Sequence, residues 1–129
     1  MYIGEVAKQT GLSIKAIRLY EEMGLIRTPK RQGRYRVYNE QDVEVLRLIF
    51  EAKQLGVTLS RLKNVIVYDQ GEVDWARIRT FLHEVRAEFQ QQLLTMQRNI
   101  ERVSECIGSL DECSLSEGFL SEPSLNERS

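Results

Sequence analysis

Residues 12–38 read LSIKAIRLYEEMGLIRTPKRQGRYRVY, and this stretch decides the fold. Ser13 is a good N-cap because its hydroxyl can accept an orphan backbone N–H of a first helical turn. The spacing after it predicts a helix over Ile14–Met23, with Ile14, Ile17 and Leu19 among its apolar residues and Gly24 as its stop. Ahead of it, Ile3, Val6 and Ala7 mark one face of a short helix over Ile3–Gln9. Gly11 follows, and glycine tolerates the left-handed conformation that ends a helix. Two short helices around a glycine-containing turn form a helix-turn-helix pattern. Beyond it, the basic run Lys30–Arg34 leads into Tyr35-Arg36-Val37-Tyr38, a short segment rich in strand formers. The reading is a hairpin wing with Gly33 at or near its tip.

Working outward, Asn39 caps a helix expected over 40–54, with Val43, Leu46, Ile49 and Phe50 on one face. Thr58 or Ser60 starts a shorter helix expected to reach about Tyr68, and Asp69–Glu72 reads as a polar break. A long helix then begins behind Asp74 as its cap. Its apolar positions are Trp75, Ile78, Leu82, Val85, Phe89, Leu93, Met96, Ile100, Val103, Ile107 and Leu110. The steps alternate between three and four residues, apart from one irregular step from Phe89 to Leu93, which is the signature of a coiled-coil seam. The front half is too small to cover a stripe of this length. The residues alone allow a parallel or an antiparallel pairing of two chains. The expected fold class is mainly α: a winged helix-turn-helix DNA-binding domain over 1–70, then a coiled-coil dimerisation helix over 71–105, antiparallel in the dimer. Residues 106–120, which hold both cysteines, are expected to form a loop and 121–129 a mobile, Ser/Glu-rich tail.

Charge divides the chain in the same place. Residues 1–68 hold twelve Lys/Arg against seven Asp/Glu, a net +5, and residues 69–129 hold six against twelve, a net −6, which together make the overall −1. A basic front half is the electrostatic footprint of a nucleic-acid module. No run of about 18 apolar residues exists to span a membrane, and the first residues lack an apolar signal core, so a cytoplasmic protein is expected. No glycine-rich phosphate loop, catalytic metal spacing or nucleophile motif points to an enzyme.

The second helix carries Lys15, Arg18 and Tyr20, and its N-terminal residues would sit at the mouth of a major groove. Arg18 can bond a guanine edge or a phosphate, Lys15 suits either as a point charge, and Tyr20 can offer its hydroxyl to a phosphate. The wing adds Arg31, Arg34 and Arg36 with Tyr35 and Tyr38, basic residues interleaved with aromatics, as a backbone clamp is built. At least one of those tyrosines is also read as a core residue.

These segments resemble the mercury-resistance-regulator (MerR) family of transcription regulators. Tyr2-Ile3-Gly4-Glu5-Val6-Ala7-Lys8 resembles its opening and Thr10-Gly11-Leu12-Ser13 its turn. Ala16–Ile26 is similar to its recognition helix, and Tyr35-Arg36-Val37-Tyr38 to its wing strand. The resemblance covers about residues 2–68 and extends to the long helix in architecture only. It departs in one place: where the family usually has Asn-Gly before the Tyr-Arg pair, this chain has Gly33-Arg34. The resemblance implies a homodimer on double-stranded promoter DNA that responds to an effector by bending and underwinding the duplex, realigning the promoter for RNA polymerase. It also carries over Arg18, Tyr20, Arg36 and Tyr38 as DNA contacts.

Cys106 and Cys113 are the two cysteines of the chain. They bracket a six-residue segment that resembles the thiol-bearing effector loop of the family's metal-responsive branch, as does the stretch Cys113–Leu120. Thiolates suit soft ions such as Cu(I), Ag(I), Zn(II) or Cd(II). In this family a third cysteine at the start of the long helix usually accompanies divalent ions. Here that place holds Glu72-Val73-Asp74, which favours Cu(I) or Ag(I) over Zn(II) or Cd(II). A thiol sensor of oxidants or electrophiles, unused thiols, and a coiled-coil adaptor that does not bind DNA are the alternatives. Geometry sets a condition on the metal reading. An unbroken helix would hold the two Cα atoms roughly 10 Å apart along its axis, so Gly108 and Ser109 would have to end it.

Overall fold

The computed structural model describes the backbone of residues 1–117 and side chains to Cys113. Met1–His83 forms one compact unit and a second begins at Glu84. In the first unit, α1 (Ile3–Thr10) and α2 (Ile14–Glu22) are followed by a hairpin of β1 (Lys30–Gln32) and β2 (Tyr35–Val37). Next come α3 (Glu40–Gln54), α4 (Leu59–Val65) and a second, two-residue hairpin of β3 (Tyr68–Asp69) and β4 (Glu72–Val73), before α5 (Trp75–Glu117).

The expected caps are in place. Ser13 Oγ accepts from the Ala16 N–H at 3.0 Å, and Asp74 Oδ1 accepts from the Arg77 N–H at 3.1 Å. At the start of α3, Asn39 and Asp42 form a reciprocal capping box: each side chain accepts the other's backbone N–H at 2.9 Å. Gly11 turns the chain between α1 and α2 at φ +81°, and its N–H returns to the Ala7 carbonyl at 3.0 Å. Around this turn the core closes, with Val6, Ile17, Leu25, Ile26, Leu46, Ile49 and Leu62 fully buried.

Two expectations are corrected in this unit. α4 ends at Val65 and does not reach Tyr68, because Ile66 turns to an extended conformation and is buried. The segment read as a polar break is the β3–β4 turn: Gln70 and Gly71 both have positive φ, 54° and 81°, the pattern of a type I′ hairpin. The unit also takes in the start of α5, where the sequence reading closed the domain at residue 70. Val73, Ile78 and Phe81 are buried, which explains the longer extent.

Asp42 anchors the floor of the core. It is fully buried, and its Oδ1 stands 3.4 Å from Arg27 Nε without hydrogen-bond alignment, so the two are in ionic contact. Above it the Tyr68 hydroxyl donates to the Leu25 carbonyl at 3.2 Å. Burial, aided by the Asp42 carboxylate, pushes the Tyr68 phenol up to about 12.

In the second unit, the described residues are helical to Glu117, which corrects the expected loop at 106–120 over its described part. Ile107 and Leu110 keep the apolar spacing, and a single interior glycine costs only about 1 kcal/mol against alanine, too little to end a long helix. Phe89, Leu93, Met96, Ile100, Val103, Ile107 and Leu110 are all exposed. The expected tail at 121–129 lies outside the described residues, as does the end of the expected loop. Among the described residues, no helix is long and apolar enough to cross a membrane.

Candidate nucleic-acid interface

α2 presents two unlike faces. Ile17 and Tyr20 turn inward, which leaves Lys15, Arg18, Leu19 and Glu22 on the outside. These outer residues line an open concavity of about 650 Å³ that starts at Ser13, at the N-terminal end of the helix. Two cations, Lys15 in the first turn and Arg18 in the middle of the helix, give its outer face a surface that can approach base edges and phosphates.

The wing lies beside it. β1 and β2 pair in the register Lys30↔Val37, Arg31↔Arg36 and Gln32↔Tyr35, joined by Gly33-Arg34. Gly33 has φ +66° and Arg34 does not have a positive φ, so the turn follows the type II′ pattern with glycine first. This accounts for the order Gly-Arg where a type I′ turn takes Asn-Gly, and it puts the Arg34 side chain at the exposed tip. Arg31 and Arg36 are directly opposite one another, an arrangement that like charges disfavour. Each is held by an acceptor: Arg31 Nη1 donates to the Arg34 carbonyl at 3.3 Å, and Arg36 Nε donates to Glu21 Oε2 at 3.1 Å.

Glu21, from the last turn of α2, is thus the joint between recognition helix and wing. Its second oxygen, Oε1, accepts from the Tyr38 hydroxyl at 3.4 Å. The Tyr38 phenol is pushed above its ordinary value, first by burial and then by the Glu21 carboxylate, while Arg36 and Arg18 pull it down. Arg18 therefore shares the electrostatic neighbourhood of the wing strand.

The predicted contact residues divide on exposure. Lys15, Arg18, Arg31 and Arg34 are exposed, and the Arg36 side chain keeps 31% of its surface. Tyr20 and Tyr38, at 5% and 1% exposure, are buried, unlike the arginines and lysine expected beside them as DNA contacts. Their rings fill the space under α2 and the wing, and Tyr38 also exchanges backbone hydrogen bonds with Met1, at 2.7 and 2.8 Å. The aromatic surface of the wing is instead Tyr35, 63% exposed, with its ring 5.6 Å from that of Tyr2. Glu21 was missed from sequence because an acid within a basic element reads as solvated surface. The relevant signal was its place on the inner side of α2, one residue after buried Tyr20.

Cys106 and Cys113 are both on α5, exposed and not disulfide-linked. Seven residues of helix put them on nearly one face but roughly 10 Å apart along the axis. A zinc–sulfur bond is about 2.3 Å, so one ion cannot join both thiols on this helix. Among the described residues, no group of three or more His, Cys, Asp or Glu is placed to hold a metal. As folded here, the pair does not fit a bridging ion.

Residues 1–69 match the family described as MerR HTH family regulatory protein. The chain is 31% identical over 111 residues to heavy metal-dependent transcription regulator 2 of Rhizobium meliloti, an alignment covering 85% of this chain and 71% of that relative. With HTH-type transcriptional regulator CueR of Escherichia coli it shares 35% identity over 99 residues, 75% of this chain and 73% of the relative. Among solved structures, a MerR-family transcriptional regulator from Bacillus cereus has the same fold, with a TM-score of 0.53 at 24% identity over 94% of this chain and 87% of that one.

Proposed function

Since this chain belongs to the MerR family of helix-turn-helix regulatory proteins, we propose that it binds double-stranded promoter DNA as a homodimer and sets transcription in response to an effector. Members of the family are transcription regulators, not enzymes. The observation that carries the reading is the pairing of the exposed cationic face of α2, Lys15 and Arg18, with a wing bearing Arg31, Arg34 and Arg36 that is bonded to the same helix. Lys15 and Arg18 read the groove edge while the wing arginines fix the flanking phosphates. The exposed apolar stripe of α5 supports dimerisation, since a stripe of that length needs an apolar partner. Two copies then grip two half-sites, and an effector that favours one dimer geometry changes the bend and twist of the DNA between them. In this reading the distorted promoter is what RNA polymerase meets.

The test is a gel shift of the full chain on a duplex of its own promoter region at moderate salt. Binding is expected, with Arg18→Ala and Arg36→Ala each weakening it; binding unchanged in both variants overturns the contact assignment.

For the effector, the relative described as heavy metal-dependent supports a soft metal ion sensed through Cys106 and Cys113, with Cu(I) or Ag(I) ahead of Zn(II) or Cd(II). The helical placement of the two thiols, roughly 10 Å apart along α5, stands against one ion joining both in this folded form. Titration with Cu(I), Ag(I), Zn(II) and Cd(II), repeated on Cys106→Ser, decides the matter. Stoichiometric binding lost in the variant supports metal sensing. No binding, together with loss of DNA affinity on mild thiol oxidation, supports a redox sensor.

A further inference from the structure

Glu21 is placed where three effects oppose an acid. It sits in the last turn of α2, where the helix dipole favours a cation. It lies on the helix that faces a polyanion in the DNA-binding reading. It is also largely buried, its side chain keeping 9% of its surface. A carboxylate in such a place is balanced by what it holds: Arg36 Nε on one oxygen at 3.1 Å and the Tyr38 hydroxyl on the other at 3.4 Å.

We infer that Glu21 is a positioning residue for DNA recognition, fixing the Arg36 guanidinium, and with it the wing, relative to the recognition helix. Three observations carry this. Arg36 commits Nε to Glu21, and its two Nη groups are not part of that bond, so they keep donors for a phosphate oxygen. Arg36 stands directly opposite Arg31 in the hairpin register, a placement that like charges disfavour, and the Glu21 carboxylate is the counter-charge bonded to it. The bond also spans the break between α2 and β2, so groove-reading and phosphate-binding residues share one rigid frame. Glu21 touches no DNA itself; it acts through Arg36. The inference rests on the DNA-binding reading above and deepens it.

The two views of Glu21 predict opposite signs. As a plain negative charge near DNA, its removal would tighten binding. As a positioning residue, its removal weakens binding. The experiment is fluorescence anisotropy of the full chain on a labelled duplex of its own promoter region, across a salt series, for wild type, Arg18→Ala, Glu21→Ala, Glu21→Gln, Arg36→Ala and the Glu21/Arg36 double variants. Glu21→Ala is expected to weaken binding roughly tenfold, the scale of one charge-assisted hydrogen bond. Its log–log salt slope should fall by about 0.9, one phosphate contact, which loss of folded protein alone would not cause. Glu21→Gln, whose carbonyl can still accept from Arg36 Nε, recovers most of the affinity. In the Arg36→Ala background neither Glu21 change weakens binding further, a criterion that Glu21→Gln meets or fails even if Glu21→Ala does not fold. Unchanged or tighter binding by Glu21→Ala, or a further loss in the double variants, overturns the inference while leaving the DNA reading intact. Absence of wild-type binding overturns the DNA reading itself, and indifference to Arg18→Ala together with Arg36→Ala overturns the contact assignment.

Discussion

A Cβ placed on Gly11 would stand 3.4 Å from Phe50 Cε1, so the turn between the first two helices is packed directly onto α3. Two constraints meet there: a left-handed backbone at φ +81° and a ring across the gap. Gly11→Ala is expected to lower the unfolding free energy by about 1–2 kcal/mol, the cost of forcing an L-residue into that region. Gly11→Asn should cost less, since asparagine visits it more readily. Phe50→Ala added to Gly11→Ala should not restore stability, because the strain is in the backbone. Urea unfolding curves of the four proteins check this.

The capping box of α3 separates two sizes of effect. Asn39→Ala removes one exposed cap and should cost about 1 kcal/mol. Asp42→Ala removes the other half of the box and also leaves Arg27 facing the buried space without its carboxylate, so about 3 kcal/mol is expected. Thermal melts that ranked the two equally would show that Arg27 escapes to water when Asp42 is absent.

Self-association should reside in α5. Light scattering is expected to report twice the chain mass at micromolar concentration. Ile100→Glu with Val103→Glu, two exposed positions on the apolar stripe, should give a monomer whose helix-turn-helix unit still melts cooperatively. A wild-type monomer would remove the dimer from the proposed function.

Alkaline stability follows from the buried tyrosines. Tyr68 has an ordinary value of 10.0 and is raised to about 12, chiefly by burial and then by the Asp42 carboxylate. The fold favours the neutral phenol, so this contribution is intact below pH 10 and is lost as pH rises through about 12. Stability should fall steeply across that window, and Tyr68→Phe should flatten the fall. Tyrosinate absorbance of the native protein should show a late-titrating class containing Tyr38 and Tyr68, both shifted upward.

Features that depend on neighbours along the chain were legible from residues alone. Ser13, Asn39 and Asp74 were read as caps because a cap is decided within one turn of helix, and each one accepts the N–H expected of it. The helix-turn-helix and the wing followed from the same local logic. What escaped depends on partners distant in sequence or on small energy differences. Tyr20 and Tyr38 have polar tips, so their burial shows only once α2 and the wing close over them. Glu21 meets Arg36 fifteen residues on, a contact that no periodicity encodes. The end of α4 and the Gln70-Gly71 turn hinge on single backbone dihedrals. The Gly108-Ser109 pair carries a weak break signal that the surrounding helix formers overcome.

The irregular step at Phe89 has a consequence for how α5 can wind. Leu82, Val85, Phe89 and Leu93 span 11 residues in steps of three, four and four, where the rest of the stripe repeats every seven. A heptad lags a straight helix by about 20°, whereas an 11-residue repeat leads by about 20°. The stretch therefore cancels the lag of one neighbouring heptad, and the stripe runs locally almost parallel to the helix axis. A second helix laid against this part would run alongside without wrapping and would resume its left-handed coil only beyond Leu93. An inserted or deleted residue between Val85 and Leu93 would rotate everything after it by about 100°, far more than the roughly 20° that separates the two repeats.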